Sequence, residues 1–570
     1  MTADTHFHTI IVGSGFGGSV SAYRLAAGGQ GVCVLERGKA YPPQSFARRP
    51  HEMAANFWDP SRGLFGLFNV WSFKGIEALL SSGLGGGSLI YANVLLRKDE
   101  KWFVHDSPFD GGYENWPISR ADLEPHYDAV ETMMDAQRFP FGQPGYESPK
   151  TAAMQEAAGK LGLHWDLPPL AVSFSPTRNG DPVVAEAIPT PEYGNYHGKL
   201  RTTCRLCGEC DVGCNYGSKN TLDHNYLSAA QHKGADIRPL SEVKRIEPRP
   251  GGGFTVHYLA HDLARAGQKT NTAKLPLVTL TCDRLVLAAG TIGTPYLVLR
   301  NHSNFPHISK ALGTRFCGNG DLLTFLLNAT RQDDGRPVPR LIDGSLGPVI
   351  TSYMRMPDAV DGVDGGTGRG YYVEDAGYPI LFDWMIETAK APSLALRLLK
   401  FAWRRVCATI GHSPVSDLSA EIAHLIGNCA LSSGSLPMLG MGRDIPDGVM
   451  KLRKGYLDIN WTTKTSEEYF SRVRSTMEGI ADALGAKFED NLLWYLKRVI
   501  TVHPLGGCPM GRNAGEGVVD QWGEVFNYPG LFIADGSVMP GPVGANPSLT
   551  IAAFADRMCT RILEGGPTAP

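Results

Sequence analysis

Three residues have the types from which proton chemistry is built: His503 in the run HPLGGC, Asn546 in GANPS and Glu374 in YYVEDA. A histidine takes up a proton near neutral pH. An amide such as that of Asn546 orients a hydroxyl and polarises its surroundings without adding charge. Taken alone, His503 before Pro504 is a turn histidine. Glu374 is embedded among aromatic and apolar neighbours, and burial of that kind raises a carboxyl pKa and suits it to shuttle a proton. The competing reading is that Glu374 or Asp375 caps a strand or binds an arginine. Cys204, Cys207, Cys210 and Cys214 form a fourth set, Cys-x2-Cys-x2-Cys-x3-Cys, which is ferredoxin-like ligand spacing and also acceptable to zinc. Asn215 stands where bacterial ferredoxins have proline, and no second cluster motif follows. The expectation is a cysteine-rich turn without metal, leading into Lys219, Asn220 and Thr221, with iron–sulfur and zinc sites as alternatives.

Such residues need elements to hold them. Residues 8–12 (HTIIV) read as a buried strand of a parallel sheet. The strand runs into Gly13-Ser14-Gly15-Phe16-Gly17-Gly18, a G-x-G-x-x-G with a helix expected over 19–27 and a second strand over 31–35, ending at Glu36. Gly13 permits the turn, Gly15 lets the backbone approach a pyrophosphate, Gly18 allows close helix–strand packing, and the helix N-terminus offers free N–H groups to the anion. An acid at position 36 bonds a ribose hydroxyl and repels a 2′-phosphate, so NADP is disfavoured. FAD and NAD remain open on this motif alone. A second glycine cluster, 82–88 (SGLGGGS), precedes Tyr91 and Asn93 and lets main chain pass against a flat ring or phosphate. Residues 283–290 read as another strand closing on Ala289 and Gly290, with a helix over 291–300. Residues 530–537 read as a strand ending at Asp535 and Gly536, after which Asn546-Pro547-Ser548 caps a helix over 549–563.

Taken in chain order, the GSGFGG turn with Glu36, the GLGGGSLIYAN loop, LVLAAGTIGTP, HPLGGC and FIADGSVMPGPVGANPSLTIAAFADR resemble the glucose–methanol–choline (GMC) flavin oxidoreductases, in their cholesterol-oxidase-like branch. The resemblance implies FAD as cofactor. It implies that Gly13, Gly15, Phe16, Gly18 and Glu36 hold the ADP part and that Val243, in the strand-like SEVKRI, meets the adenine. It also places Gly85, Gly86, Gly87, Ser88, Tyr91 and Asn93 along the flavin, and Ala289, Gly290, Asp535, Gly536 and Pro547 around the rest of the cofactor. His503 and Asn546 become the catalytic pair for alcohol oxidation, and Glu374 the group that moves a ring double bond afterwards.

The chain has 570 residues and a formal charge of −3, which excludes a polybasic nucleic-acid binder as a description of the whole. Apolar residues make up 43% and charged ones 19%, as suits a large folded core. The fold class expected is α/β (α+β overall): a Rossmann-like FAD-binding domain from 1–100, 201–316 and 500–570, interleaved with a sheet-plus-helices substrate-binding domain from 101–200 and 317–499. The N-terminus shows no signal peptide and no apolar run spans a membrane, so a cytoplasmic location is expected. Two segments hint at a lipid partner. Residues 57–80 are dense in large apolar side chains that line a lid or pack core, and 393–410 read as a basic amphipathic helix with Trp403, a pattern found on membrane surfaces. The function expected is oxidation of a hydroxyl on a bulky apolar alcohol, first a sterol or hydroxysteroid, to the ketone, with O2 or another electron acceptor. The alternatives are a dehydrogenase of another long-chain or terpenoid alcohol using a quinone or protein acceptor, and a non-catalytic flavin-binding scaffold.

Overall fold

The computed structural model describes residues 5–107, 112–362, 368–379 and 430–565, with Leu399 and Trp403 singly. The first strand, His6–Val12, turns at Gly13 into the helix Phe16–Ala27, and the chain returns as the strand Val32–Leu35. Gly13 has φ of 99°, and a Cβ there would lie 2.3 Å from the Ala288 carbonyl oxygen, so no other residue fits.

These strands belong to a seven-stranded sheet. Asp236–Arg238, Val32–Leu35, His6–Val12, Leu277–Leu287, Phe254–Ala260 and Ser241–Pro248 adjoin in that order, and Leu531–Ile533 pairs with Leu277–Leu287. The pairing is parallel from Asp236–Arg238 through to Leu531–Ile533, with Val12 opposite Leu35 and Leu287, and Leu287 opposite Ile533. Parallel strands end at the same edge. That register therefore delivers the Gly13 turn, Glu36, Gly290 and Asp535 to one rim, where ligands of such sheets bind. The helices Phe16–Ala27, Tyr226–His232, Arg120–Met133 and Ser548–Leu563 pack together over this sheet.

A second sheet is antiparallel throughout: His164–Asp166, Tyr353–Met356, Tyr371–Asp375, Leu436–Gly442, Leu322–Leu327 and Lys487–Asp490. Side chains alternate across a strand. Tyr371 and Val373 accordingly join the core made with the helices Pro149–Leu161 and Glu467–Ala483. Tyr372 faces the other way, into a cluster with Met441 and Ala545, and Glu374 shares its parity.

The apolar 57–80 segment forms hairpins. Trp58–Asp59 pairs with Leu64–Phe65, and Phe68–Ser72 with Ile76–Ser81. Ile76–Ser81 also takes Val499–Thr501 as a parallel neighbour. That pairing matters for function, because the first strand leads into the 82–88 glycine loop and the second into His503. The expected helix at 393–410 lies outside the described residues, except that Leu399 and Trp403 are 67% and 69% exposed. No helix among the described residues is long and apolar enough to cross a membrane.

Candidate active site

His503 is held from behind. Its Nδ1 lies 2.9 Å from Asp321 Oδ1, while Oδ2 accepts from the backbone N–H groups of Val502 and His503 at 2.8 and 3.1 Å and from Thr501 Oγ1 at 3.0 Å. Asp321 is fully buried. A carboxylate only accepts, so Nδ1 carries the hydrogen and Nε2 is left with a lone pair able to take a proton. Nothing in the spacing of the sequence pointed to Asp321; the only signal was an acid directly before the buried run LLTFLL.

Asn546 does not cap the last helix as its position suggested. Pro547 occupies the cap without a side-chain hydrogen bond, and the Asn546 amide instead donates from Nδ2 to Glu374 Oε2 at 3.3 Å. The reason is packing: the segment before the helix is pinned by Asn319, whose Nδ2 donates to Ala545 O at 3.0 Å and whose Oδ1 accepts from Gly544 N at 2.8 Å. Asn319 lies two residues before Asp321, so one short loop organises both His503 and Asn546.

Glu374 is fully buried, and burial pushes its carboxyl up to about 8; the Asn546 hydrogen bond pulls the other way, and Asp375 and Asp321 add to the rise. Asp375 has a different fate. Its strand parity turns it to the helix side, where Lys150 Nζ is 3.3 Å away and Thr351 and Ser352 donate to it from backbone and hydroxyl groups. Asp375 is therefore a paired structural acid, whereas Glu374 meets only the Asn546 amide. Glu374 Oε1 and Asn546 Oδ1 are both buried with no hydrogen-bond partner.

The cofactor groove also holds buried polar atoms without partners. Tyr91 OH, both amide atoms of Asn93 and Ser82 Oγ are buried without partners, which a polar ligand between the glycine loop and the first sheet would satisfy. Gly15, Gly87 and Gly290 have open space where a Cβ would stand. Gly86, in contrast, packs on the fingerprint itself, a Cβ there falling 2.6 Å from Gly15 Cα. Gly85 N donates to Ser14 Oγ at 3.0 Å, and Ser88 Oγ, bonded to Gly85 O at 2.7 Å, accepts from Leu222 N at 3.1 Å. The Phe16 ring meets Tyr91 edge-on at 5.4 Å. Lys219 Nζ sits 4.8 Å over the Tyr91 ring, and burial lowers its pKa to about 8.

At the sheet rim, Glu36 Oε2 accepts from Ser14 N and Oγ at 3.0 and 2.7 Å, and Oε1 accepts from Gly38 N at 2.8 Å. Asp535 receives Gly290 N at 2.9 Å, Thr294 Oγ1, and Ser537 N at 2.9 Å. Gly536 opens the short turn that follows, and Ala289 N donates to Thr294 Oγ1 at 3.0 Å. Val243 stands at an irregularity of the Ser241–Pro248 strand, opposite Tyr258. The helix Phe16–Ala27 starts without a side-chain cap, leaving N–H groups for an anion. The unpartnered atoms of Tyr91, Asn93 and Ser82, the open space at Gly15, Gly87 and Gly290 and the uncapped helix start fit a flavin dinucleotide, while the Glu36 and Asp535 oxygens already accept from neighbouring N–H and hydroxyl groups.

The four cysteines of 204–214 are free thiols in a turn whose Cys210–Val212 part is a short 3-10 helix. Among the described residues, no three of their sulfurs lie within 4.8 Å of one another.

Comparison with known proteins agrees with the resemblance. Two sequence profiles, each described as GMC oxidoreductase, match residues 195–317 and 450–555. A cholesterol oxidase of Mycobacterium tuberculosis is 28% identical over 97% of this chain and 90% of its own length. One from Acinetobacter baumannii is also 28% identical, over 97% and 94%. A long-chain-alcohol oxidase of Arabidopsis thaliana is 22% identical over 97% of this chain and 67% of its own. With a glycine turn at the parallel rim, a second glycine loop packed on it, unmet polar groups beside them and these relatives, the chain carries N- and C-terminal GMC oxidoreductase domains and is an FAD-dependent enzyme that oxidises alcohols.

Proposed function

We propose that the protein oxidises the hydroxyl of a sterol or related hydroxysteroid to the ketone, and that Glu374 then moves a neighbouring double bond into conjugation. The observation carrying this reading is the buried Glu374–Asn546 pair, a carboxyl with one unpartnered oxygen set against the amide that precedes the last helix. The relatives named cholesterol oxidase support it.

Bound FAD, held by the glycine loops, Glu36 and Asp535, supplies the two-electron acceptor. His503 Nε2 takes the hydroxyl proton, and Asp321, by accepting the Nδ1 hydrogen, leaves the lone pair on Nε2 and aims the ring. Asn546 orients the hydroxyl through its free Oδ1 or its amide hydrogen. Glu374 carries a proton from the carbon beside the new ketone to the far end of the double bond, an exchange that needs a carboxyl able to exist in both forms near neutral pH. In this reading the seven-stranded sheet belongs to the cofactor domain and the six-stranded sheet to the substrate domain, and O2 is the oxidant that completes the cycle. Apolar side chains at Leu399 and Trp403 would let a membrane surface present the substrate.

A panel of 3β-hydroxy-5-ene steroids, saturated sterols, long-chain alcohols and terpenoid alcohols, mixed anaerobically with the holoenzyme, tests the reading. Rapid bleaching of the flavin by steroids, followed by an enone absorbance, is the expected result. Bleaching by the aliphatic or terpenoid alcohols alone would assign the substrate elsewhere, and no bleaching by any alcohol would favour a scaffold. Slow recovery of colour in air would replace O2 with a quinone or protein acceptor.

A further inference from the structure

A second polar cluster lies behind the glycine loop and takes no part in the chemistry above. His197 Nε2 is 2.6 Å from Asp223 Oδ2, and the side chains of these two residues are 3% and 1% exposed. The adjacent His224 is 4% exposed, and its ring stands edge-on to that of His197 at 5.5 Å. One ligand atom from each of the three residues falls within a set no wider than 4.8 Å. The two atoms left over are unusual. Asp223 Oδ1 and His224 Nδ1 are both buried with no hydrogen-bond partner, Thr221 supplying the remaining hydroxyl near the carboxylate. Buried polar atoms are ordinarily paired, and two left over on adjacent residues call for a shared occupant.

We infer that His197, Asp223 and His224 bind one divalent transition-metal ion, zinc in the first place, with water as the remaining ligand. Two imidazoles and a carboxylate suit such an ion by ligand type, and the harder Mg2+ and Ca2+ by contrast prefer sets made of oxygen. On binding, the ion replaces the proton that His197 Nε2 now shares with Asp223; that proton leaves for solvent or for the ring's other nitrogen, and the ligand atoms draw together to tetrahedral spacing.

The position gives the ion a structural task. Asp223 Oδ1 would lie 3.5 Å from a Cβ on Gly85, so the cluster backs the flavin-side glycine loop. Asp223 and His224 precede the helix Tyr226–His232, and His197 lies on the loop before the strand Arg201–Thr202. The ion therefore ties that loop to the turn beneath Gly85. It is separate from the cysteine run 204–214.

The test uses untagged holoenzyme purified without chelator, equilibrated with one equivalent of Zn2+ and passed through a desalting column. Elemental analysis is expected to find about one zinc per chain. Zinc-edge X-ray absorption is expected to show nitrogen and oxygen neighbours at about 2.0–2.2 Å and no sulfur at about 2.3 Å. In His197→Gln and His224→Gln, zinc retention is expected to fall at least tenfold while the flavin-to-protein absorbance ratio stays near wild type. Wild-type protein that keeps no zinc overturns the proposal, as does a sulfur shell, which would move the ion to the cysteines. Full zinc retention in both variants also overturns it. If the variants do not fold, the absorption spectrum of the wild type alone decides. Loss of flavin from the variants, with no zinc in the wild type, would instead assign the unpartnered atoms to FAD.

Discussion

At the scale of single residues, the site separates acids that look alike in sequence. Glu374 and Asp375 are neighbours, yet Asp375 has Lys150 and four donors from Thr351 and Ser352 while Glu374 has one weak amide contact, and burial pushes the Glu374 carboxyl up to about 8. The shift fixes the sign of two pH effects. A carboxyl whose folded value lies near 8 against an ordinary 4.5 favours the fold when protonated. That contribution is full below about 4.5 and is lost as pH rises through about 8. Glu374→Gln should therefore be more stable than wild type at pH 9, by on the order of a few kcal/mol, with the gap closing toward pH 5; thermal melts across that range measure it. The same variant should keep alcohol oxidation within a few-fold while enone formation falls at least a hundredfold, and in the wild type enone formation should rise toward pH 8. Unchanged conjugated product from Glu374→Gln would sink the shuttle. Asp321→Asn should behave differently. An amide in place of the carboxylate no longer enforces the Nδ1–H tautomer of His503, so kcat for oxidation should drop by about 10- to 100-fold. KM should change little, and the pH–rate profile should shift. A wild-type pH profile with only a raised KM would mean that Asp321 shapes the pocket without positioning the histidine.

At the scale of elements, the strand–turn–helix units were readable because their physics is local. The first strand, the glycine turn, the helix behind it and the Leu531–Ile533 strand all follow from short apolar runs stopped by glycine or acid. The rim that they form was readable too, since parallel strands end together. What stayed hidden depends on contacts between distant segments. Asp321 and Asn319 look like ordinary loop residues until Cys317 pairs with Leu505 and brings that loop under His503. The 57–80 segment was ambiguous between lid and core, because apolar content does not say which strand a hairpin will join; its partner, Val499–Thr501, is more than 400 residues away. Asn546 carried an N-cap signal that lost to a tertiary bond. The glycine turn offers the element-scale prediction. In Gly13→Ala the new methyl meets the Ala288 carbonyl at 2.3 Å and the φ of 99° is strained, so the turn must open. Flavin content, read as the ratio of absorbance at the flavin band to that of protein, should fall below a tenth of wild type, with far-UV circular dichroism retained. Normal flavin content in this variant would show that the turn does not set the pyrophosphate site.

At the scale of the whole molecule, one short loop touches the structures around both sheets. The loop between Phe316 and Asp321 bridges to Gly448 and Leu505, receives the Thr501 hydroxyl at Gly318 O at 3.0 Å, fastens Gly544 and Ala545 through Asn319, and then enters the antiparallel sheet at Leu322. Neither sheet is built from one continuous stretch: the first draws strands from both ends and the middle of the chain, and the second collects strands from 164 to 490. A sheet assembled in this way cannot form before its inserts are placed, and the cofactor groove lies where its unmet polar groups would otherwise go unpaired. Binding to the folded state alone stabilises by RT ln(1 + [L]/Kd), about 4 kcal/mol at a thousandfold excess over Kd. Because both sheets meet at the 316–321 loop, that stabilisation should reach both of them together. The holoenzyme is expected to melt in one transition by circular dichroism and by tryptophan fluorescence. Removal of FAD should lower that single transition, and titrating FAD back should restore it along the curve its Kd dictates. Two separated transitions in the holoenzyme, with only one of them responding to FAD, would mean that the six-stranded sheet folds without the flavin and that the 316–321 loop is a tether, not a clamp.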